Sequence, residues 1–179
     1  MTTNYTYIKK LKNMHFKGLY SERLLVYKTH KGEFQMHLST SLLGFRPKEE
    51  NAAEKFWHMK WNELLPSGHD VLLIREQNTP EPLQYEEINS PYQTYVVSAS
   101  NYSTAFNTIN NAWAYGYPEE EDIQLHTVIL ELEESFMNIS ATPGGVTITL
   151  TEEFPAPSEY DVILASTENR KELNRDEGS

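Results

Sequence analysis

Six histidines punctuate the chain: His15, His30, His37, His58, His69 and His126. Imidazole is the side chain best suited to moving protons near neutral pH. His37 and His126 fall inside runs that read as strands, where successive side chains point to opposite faces. Gln35, His37, Ser39 and Ser41 share one face of the first run, with Met36, Leu38 and Leu42 on the other. In the second run Gln124, His126, Val128 and Leu130 share a face, opposite Leu125, Thr127 and Ile129. Two histidines facing one cleft can divide acid and base work on a phosphodiester. One takes a proton from the attacking hydroxyl or water, and the other gives one to the leaving oxygen. Ser39 lies two residues beyond His37, placed to hold a non-bridging phosphate oxygen. Thr127, adjacent to His126, joins in only if a bulge re-aims it. Such chemistry needs no metal or other cofactor, and no His-x-x-x-His or His-Glu-x-x-His spacing is present to bind one.

These side chains must be positioned by flanking elements. Residues 21–29 and 33–43 read as strands joined by the turn residues His30-Lys31-Gly32. Pro47 to Leu65 reads as an amphipathic helix, with Ala53, Phe56, Trp57, Trp61 and Leu64 at helical spacing. Within it, His58 serves packing or a solvated flank. Asp70–Glu76 is a short strand, Gln77–Pro91 a polar stretch, and Gln93–Ala99 another strand. Asn101–Tyr115 reads as a second helix ended by Gly116 and Pro118. Strands follow at 123–131, 136–140, 146–151 and 160–164, with a turn at Pro143-Gly-Gly145. The expected architecture is α+β: two lobes of mostly antiparallel sheet around a central cleft, each backed by a helix. Residues 1–165 form a single domain in this reading, and the charged segment 166–179 a disordered tail.

Composition narrows the function classes. The chain has 179 residues, no cysteine, and 15 Lys+Arg against 26 Asp+Glu, a net charge of −11. Disulfide scaffolds and thiol chemistry are excluded. No apolar run approaches the ~20 residues of a membrane span, and the N-terminus lacks a secretory pattern, so a cytoplasmic protein with no membrane partner is expected. The negative charge argues against holding long nucleic acid by its phosphates. A compact anionic ligand remains open, because a local pocket can oppose the global charge. An aromatic of the expected helix at 47–65, or Tyr92 or Tyr95, could stack a base there. The acidic surface, or an exposed sheet edge, could also engage a protein partner.

The segment His37-Leu-Ser-Thr-Ser-Leu-Leu-Gly44, with a helix expected after it, resembles the first motif of the 2H (two-histidine) phosphoesterases of LigT and cyclic phosphodiesterase type. Ile123-Gln-Leu-His-Thr-Val-Ile-Leu130, after a helix and Gly116, resembles the second. The resemblance spans roughly residues 21–165. It implies metal-independent hydrolysis of a small nucleotide phosphodiester, with His37 and His126 as acid and base and Ser39 and Thr127 holding phosphate. The chain departs from the pattern at Val128, where that family carries a hydroxyl. Loss of that hydroxyl suits a non-catalytic nucleotide-binding protein, and the acidic composition suits a protein inhibitor. Arg75, Ser98-Ala-Ser100 and Glu159-Tyr-Asp161 are similar to the arginine, Ser-Thr-Ser and Glu-x-Glu marks of ADP-ribosyltransferases, with Asp161 at the glutamate position.

Overall fold

A computed structural model describes residues 5–49, 51–119, 122–159 and 161–168. After a single helical turn, α1 (Thr6–Lys9), every element is a strand. These are β1 (His15–Ser21), β2 (Leu24–Lys28), β3 (Phe34–Leu38), β4 (Ser41–Arg46), β5 (Lys55–Leu64), β6 (His69–Gln77) and β7 (Tyr85–Glu87). The second half adds β8 (Tyr95–Val97), β9 (Ser100–Tyr102), β10 (Asn111–Pro118), β11 (Ile123–Glu131), β12 (Phe136–Thr142), β13 (Gly145–Thr151) and β14 (Val162–Ser166). A five-stranded sheet, β6-β5-β4-β1-β9, faces a seven-stranded sheet, β14-β10-β11-β12-β13-β3-β2. All named pairings are antiparallel.

This corrects the α+β expectation. The expected helix at 47–65 is strand β5 with the loop before it. The expected helix at 101–115 is the end of β9, a connecting loop and most of β10. The reason lies in two-sided burial. Trp57 and Met59 of β5 face the shared core, while Phe56 on the other face is buried under Leu83. Apolar side chains on both faces imitate helical spacing, whereas the backbone alternates with period two. The same holds in β10, where Ala112 and Ala114 face inward and Trp113 and Tyr115 pack outside with Ile129. Gly116 caps no helix. It sits where β10 crowds its neighbours, and a Cβ there would lie 2.5 Å from the Gln124 carbonyl oxygen.

The core draws on both sheets. Phe16, Leu43, Phe45, Trp57, Met59 and Leu72 from the smaller sheet meet Met36, Leu38, Ala114, Val128, Met137, Ile139 and Ile148 from the larger. Ile8 and Leu11 close one end, with Tyr7 edge-on to Trp57. The chain passes between sheets at two tight corners, Glu22-Arg23 and Ser39-Thr40, and again through the longer link 103–110 from β9 to β10. At the tight corners the Arg23 carbonyl accepts bonds from the Ser21 hydroxyl at 2.6 Å and the Ser39 amide at 3.3 Å.

Each outer face carries a cover. The segment between β6 and β9, including the β7-β8 hairpin, lies on the five-stranded sheet through Leu83, Tyr95 and Val97. The link from β13 to β14 crosses the seven-stranded sheet, setting Phe154 against Trp113 and Phe136. β14 runs to Ser166, and the Thr167 hydroxyl accepts the Ala112 amide, so the part of the expected tail at 166–168 is bound to the sheet. The remainder, 169–179, lies outside the described residues. No helix among the described residues is long and apolar enough to cross a membrane.

Candidate functional site

The histidines singled out by sequence lie on one face of one sheet. Met36 and Leu38 point into the core, so His37 faces outward on β3. In β11 the register slips opposite Tyr115 and Gly116, leaving His126 as the extra residue of a bulge. Leu125 and Val128 both face the core, so His126 and Thr127 both face out. The bulge therefore re-aims Thr127 onto the face of His126. Cross-strand register sets Thr127, Ser140, Thr147 and His37 in a single row. β12 and β13 intervene between the two histidine strands. Three steps of about 4.8 Å put β3 and β11 roughly 14 Å apart. One phosphate held between acid and base needs roughly 5–7 Å. The structure thus aligns the two residues without bringing them together.

The row satisfies itself. His37 Nδ1 lies 3.2 Å from the Thr147 hydroxyl, which lies 2.8 Å from that of Thr142. The Thr127 hydroxyl lies 2.6 Å from His126 Nδ1 and 3.3 Å from the Ser140 hydroxyl. His126 Nε2 lies 2.7 Å from Asp161, whose other oxygen accepts the Ser158 amide at 2.7 Å. Asp161 thus acts in a histidine network; its neighbour Glu159 is exposed. Tyr117 stacks on His126 at 4.0 Å and on His69 at 4.6 Å. Burial, Asp161 and Asp70 together hold the Tyr117 hydroxyl above its ordinary pKa.

The opposite sheet gathers charged and phenolic side chains around concave volume. Phe16 and Leu19 both face the core, so the register slip between them turns Lys17 and Gly18 outward, followed by Tyr20. With Glu54, Phe56, Tyr92, Tyr95 and Tyr102 they line a cleft of about 440 Å³. A Cβ on Gly18 would lie 3.2 Å from both the Tyr20 hydroxyl and the Tyr102 carbonyl oxygen, so any other residue would crowd this floor. Glu54 is a buried residue, and burial raises its pKa against the opposing pull of the Thr94 amide, Lys17 and Arg46. Burial and the Glu54 charge raise Tyr20 in turn.

Lys17 and Tyr92 also border a second cleft of about 460 Å³, lined by His15, Arg46, Lys48 and Glu49. The Arg46 guanidinium is steadied by the Pro91 carbonyl at 2.7 Å. A carboxylate ringed by tyrosines therefore adjoins a cationic strip, in a chain of strongly negative charge. Both volumes fall in the range of about 300–1,000 Å³ typical of small-molecule sites.

Sequence reading singled out Tyr92 and Tyr95 and missed Lys17, Arg46 and Glu54. The missed residues come from three separate segments, and only strand pairing unites them. The signal available was the Lys17-Gly18 pair inside an otherwise apolar strand, a mark of a bulge. Ser39 is exposed at the β3-β4 corner, beside His58 and Lys60 and away from His126. No group of three or more metal-ligating side chains occurs among the described residues. Arg75 and Ser98 do not line the tyrosine cleft, and Ser98 is engaged through its amide to the Gln84 carbonyl.

No family model, curated protein or solved structure matches this chain.

Proposed function

We propose that the protein binds a compact nucleotide in the joined clefts of the five-stranded sheet, holding it without hydrolysis. The observation that carries this reading is the buried Glu54 carboxylate flanked by Tyr20 and Tyr95, next to the cationic strip. Tyrosine faces accept any base, with stacking worth about 1–3 kcal/mol. A buried carboxylate prefers a base edge that offers N–H donors, as guanine does at N1 and its 2-amino group, or cytosine at N4. Lys17, Arg46 and Lys48 then meet the phosphate, where an arginine supplies paired donors. This is the sequestering alternative to paired-histidine catalysis. Neither His37 nor His126 lines these clefts.

Equilibrium binding of purine and pyrimidine mono- and diphosphates tests it, alongside turnover of cyclic and 2′–5′ linked substrates in EDTA. Tight guanosine or cytidine nucleotide binding with no turnover is expected. Cleavage lost in both His37→Ala and His126→Ala would restore the phosphoesterase reading and overturn this one.

A second reading rests on β2. This edge strand exposes Leu25, Val26 and Tyr27, at 63%, 50% and 47%. Such an edge pairs readily with an added strand. Sedimentation at rising concentration, repeated with Val26→Lys, checks whether a second copy of the chain adds there.

A further inference from the structure

We propose that the outer face of β5 and β6 holds a second site, which takes a tetrahedral oxyanion of the phosphate or sulfate class between His58, Lys60 and Arg75. Three observations meet there. First, register places His58 directly opposite Arg75, and Lys60 follows two residues on from His58 along the same face. Lys60 and Arg75 thus set two permanent cations beside the His58 ring on one face, a charge density that a bound anion would neutralise.

Second, the neutralising group is not supplied from within. The ion pairs among the described residues are His69 with Glu119 and His126 with Asp161, and neither involves this cluster. Glu81 is the single carboxylate lining the groove, and its segment is fixed through its backbone carbonyl, which accepts the Gln77 side-chain amide. Burial, Lys60 and Arg75, in that order, hold the His58 imidazole below its ordinary pKa, and no carboxylate opposes them.

Third, the cluster sits in a groove. A cleft of about 420 Å³ runs past Arg75, Gln77, Thr79 and Pro82. Another of about 410 Å³, sharing His58, Lys60 and Pro82, continues to the Ser39-Thr40 corner and the Gly144-Gly145 turn. Cationic donors on one wall and hydroxyls at the far end can surround four oxygens. Arginine offers the forked donors that phosphoryl oxygens favour. The groove shares no lining residue with the tyrosine cleft, so it stands or falls independently of nucleotide binding.

The test uses ¹⁵N-labelled full chain, titrated with sodium phosphate, sodium sulfate and glycerol 2-phosphate, with sodium chloride holding ionic strength constant. Saturable amide shifts are expected at Thr40, Lys60, Arg75 and Gly144. Arg75→Ala and Lys60→Gln should each weaken binding tenfold or more while keeping the native spectrum. Equal affinity for all three anions supports a site for the free ion, and preference for glycerol 2-phosphate supports the phosphoryl group of a larger ligand. Shifts that follow ionic strength alone, shifts confined to Lys17, Arg46 and Lys48, or unchanged affinity in both variants would overturn the proposal.

Discussion

The outer faces of the two sheets both carry polar side chains and use them differently. On the seven-stranded sheet the hydroxyls of Thr127, Ser140, Thr142 and Thr147 bond to one another and to His37 and His126. On the five-stranded sheet Lys17, Lys60 and Arg75 line clefts without an ion pair among the described residues. Internal satisfaction rigidifies a face, and unmet charge next to concave volume leaves it open to a ligand. The residues that look most chemical in the sequence belong to the closed face. Residue type therefore marks candidates, and the state of their hydrogen bonds decides between structure and binding.

The contrast breaks most severely at Gly116. A Cβ there would lie 2.5 Å from the Gln124 carbonyl and 2.8 Å from Leu164, beside the bulge that aims His126. Gly116→Ala should cost about 3 kcal/mol through overpacking. That lowers the melting temperature by roughly 6–12 °C for a chain of this size. Calorimetry checks it, and a shift below about 2 °C would mean that the bulge relaxes freely.

Asp161→Ala attacks the closed face electrostatically. It removes the partner of His126 Nε2 and of the Ser158 amide, both at 2.7 Å. With side chains only 13% and 5% exposed in this pair, the loss should be about 2–3 kcal/mol in urea unfolding. Nucleotide affinity should stay unchanged, because the pair lies on the other sheet. A parallel loss of affinity would show that the two faces are coupled.

Glu54→Gln probes the open face with the reverse signature. Affinity should fall about tenfold, as expected for a charge-assisted hydrogen bond. Stability at pH 7 should hold or rise by up to about 1 kcal/mol, since a desolvated carboxylate is removed. The sign follows from linkage. The folded carboxyl titrates above its ordinary value of 4.5, so the native state binds more protons than the unfolded chain through that window. Stability due to this group declines as pH rises from the ordinary value through the raised one, and the decline vanishes in Glu54→Gln. A wild-type pH profile as flat as the variant's would remove Glu54 from the cleft's energetics.

Several strand positions were legible where one face is apolar and the other polar. β3 and β12 show clean alternation, and Gly32 turns the β2-β3 hairpin at φ +80°. Legibility failed where both faces are covered. β5 buries Phe56 under the β7-β8 segment and Trp57 in the core, and the two-sided pattern mimics a helix. β1 went unassigned although it supplies Lys17, Gly18 and Tyr20. Its meaning comes from pairing with β4 and β9, which lie 20 or more residues away in sequence. Tyr92 and Tyr95 were visible as aromatics able to stack a base, whereas Glu54 reads as one more charge in an acidic chain until its burial is known.

The smallest expected effect lies at the edge where the two faces meet. The β5-β6 turn is pinned to β10 by His69, which stacks on Tyr117 and lies 2.6 Å from Glu119. Hydrogen bonds from His69 and Ser67 hold the Glu119 carboxyl below its ordinary pKa. A depressed carboxyl contributes stability above its unfolded value and loses it as pH falls through the folded one. The contact is open to solvent, so its loss should free the turn locally without unfolding the sandwich. The aromatic proton shifts of Tyr117 report this directly, because imidazole rings lie on it from both sides. They should drift as Glu119 titrates, while the core methyl resonances of Leu43 and Ile139 stay fixed. In His69→Ala the drift should disappear and the melting temperature stay within about 1 °C of wild type. Tyr117 shifts that change only together with the core resonances would make this edge part of the cooperative fold, and the two faces would then unfold as one unit instead of meeting at a separable seam.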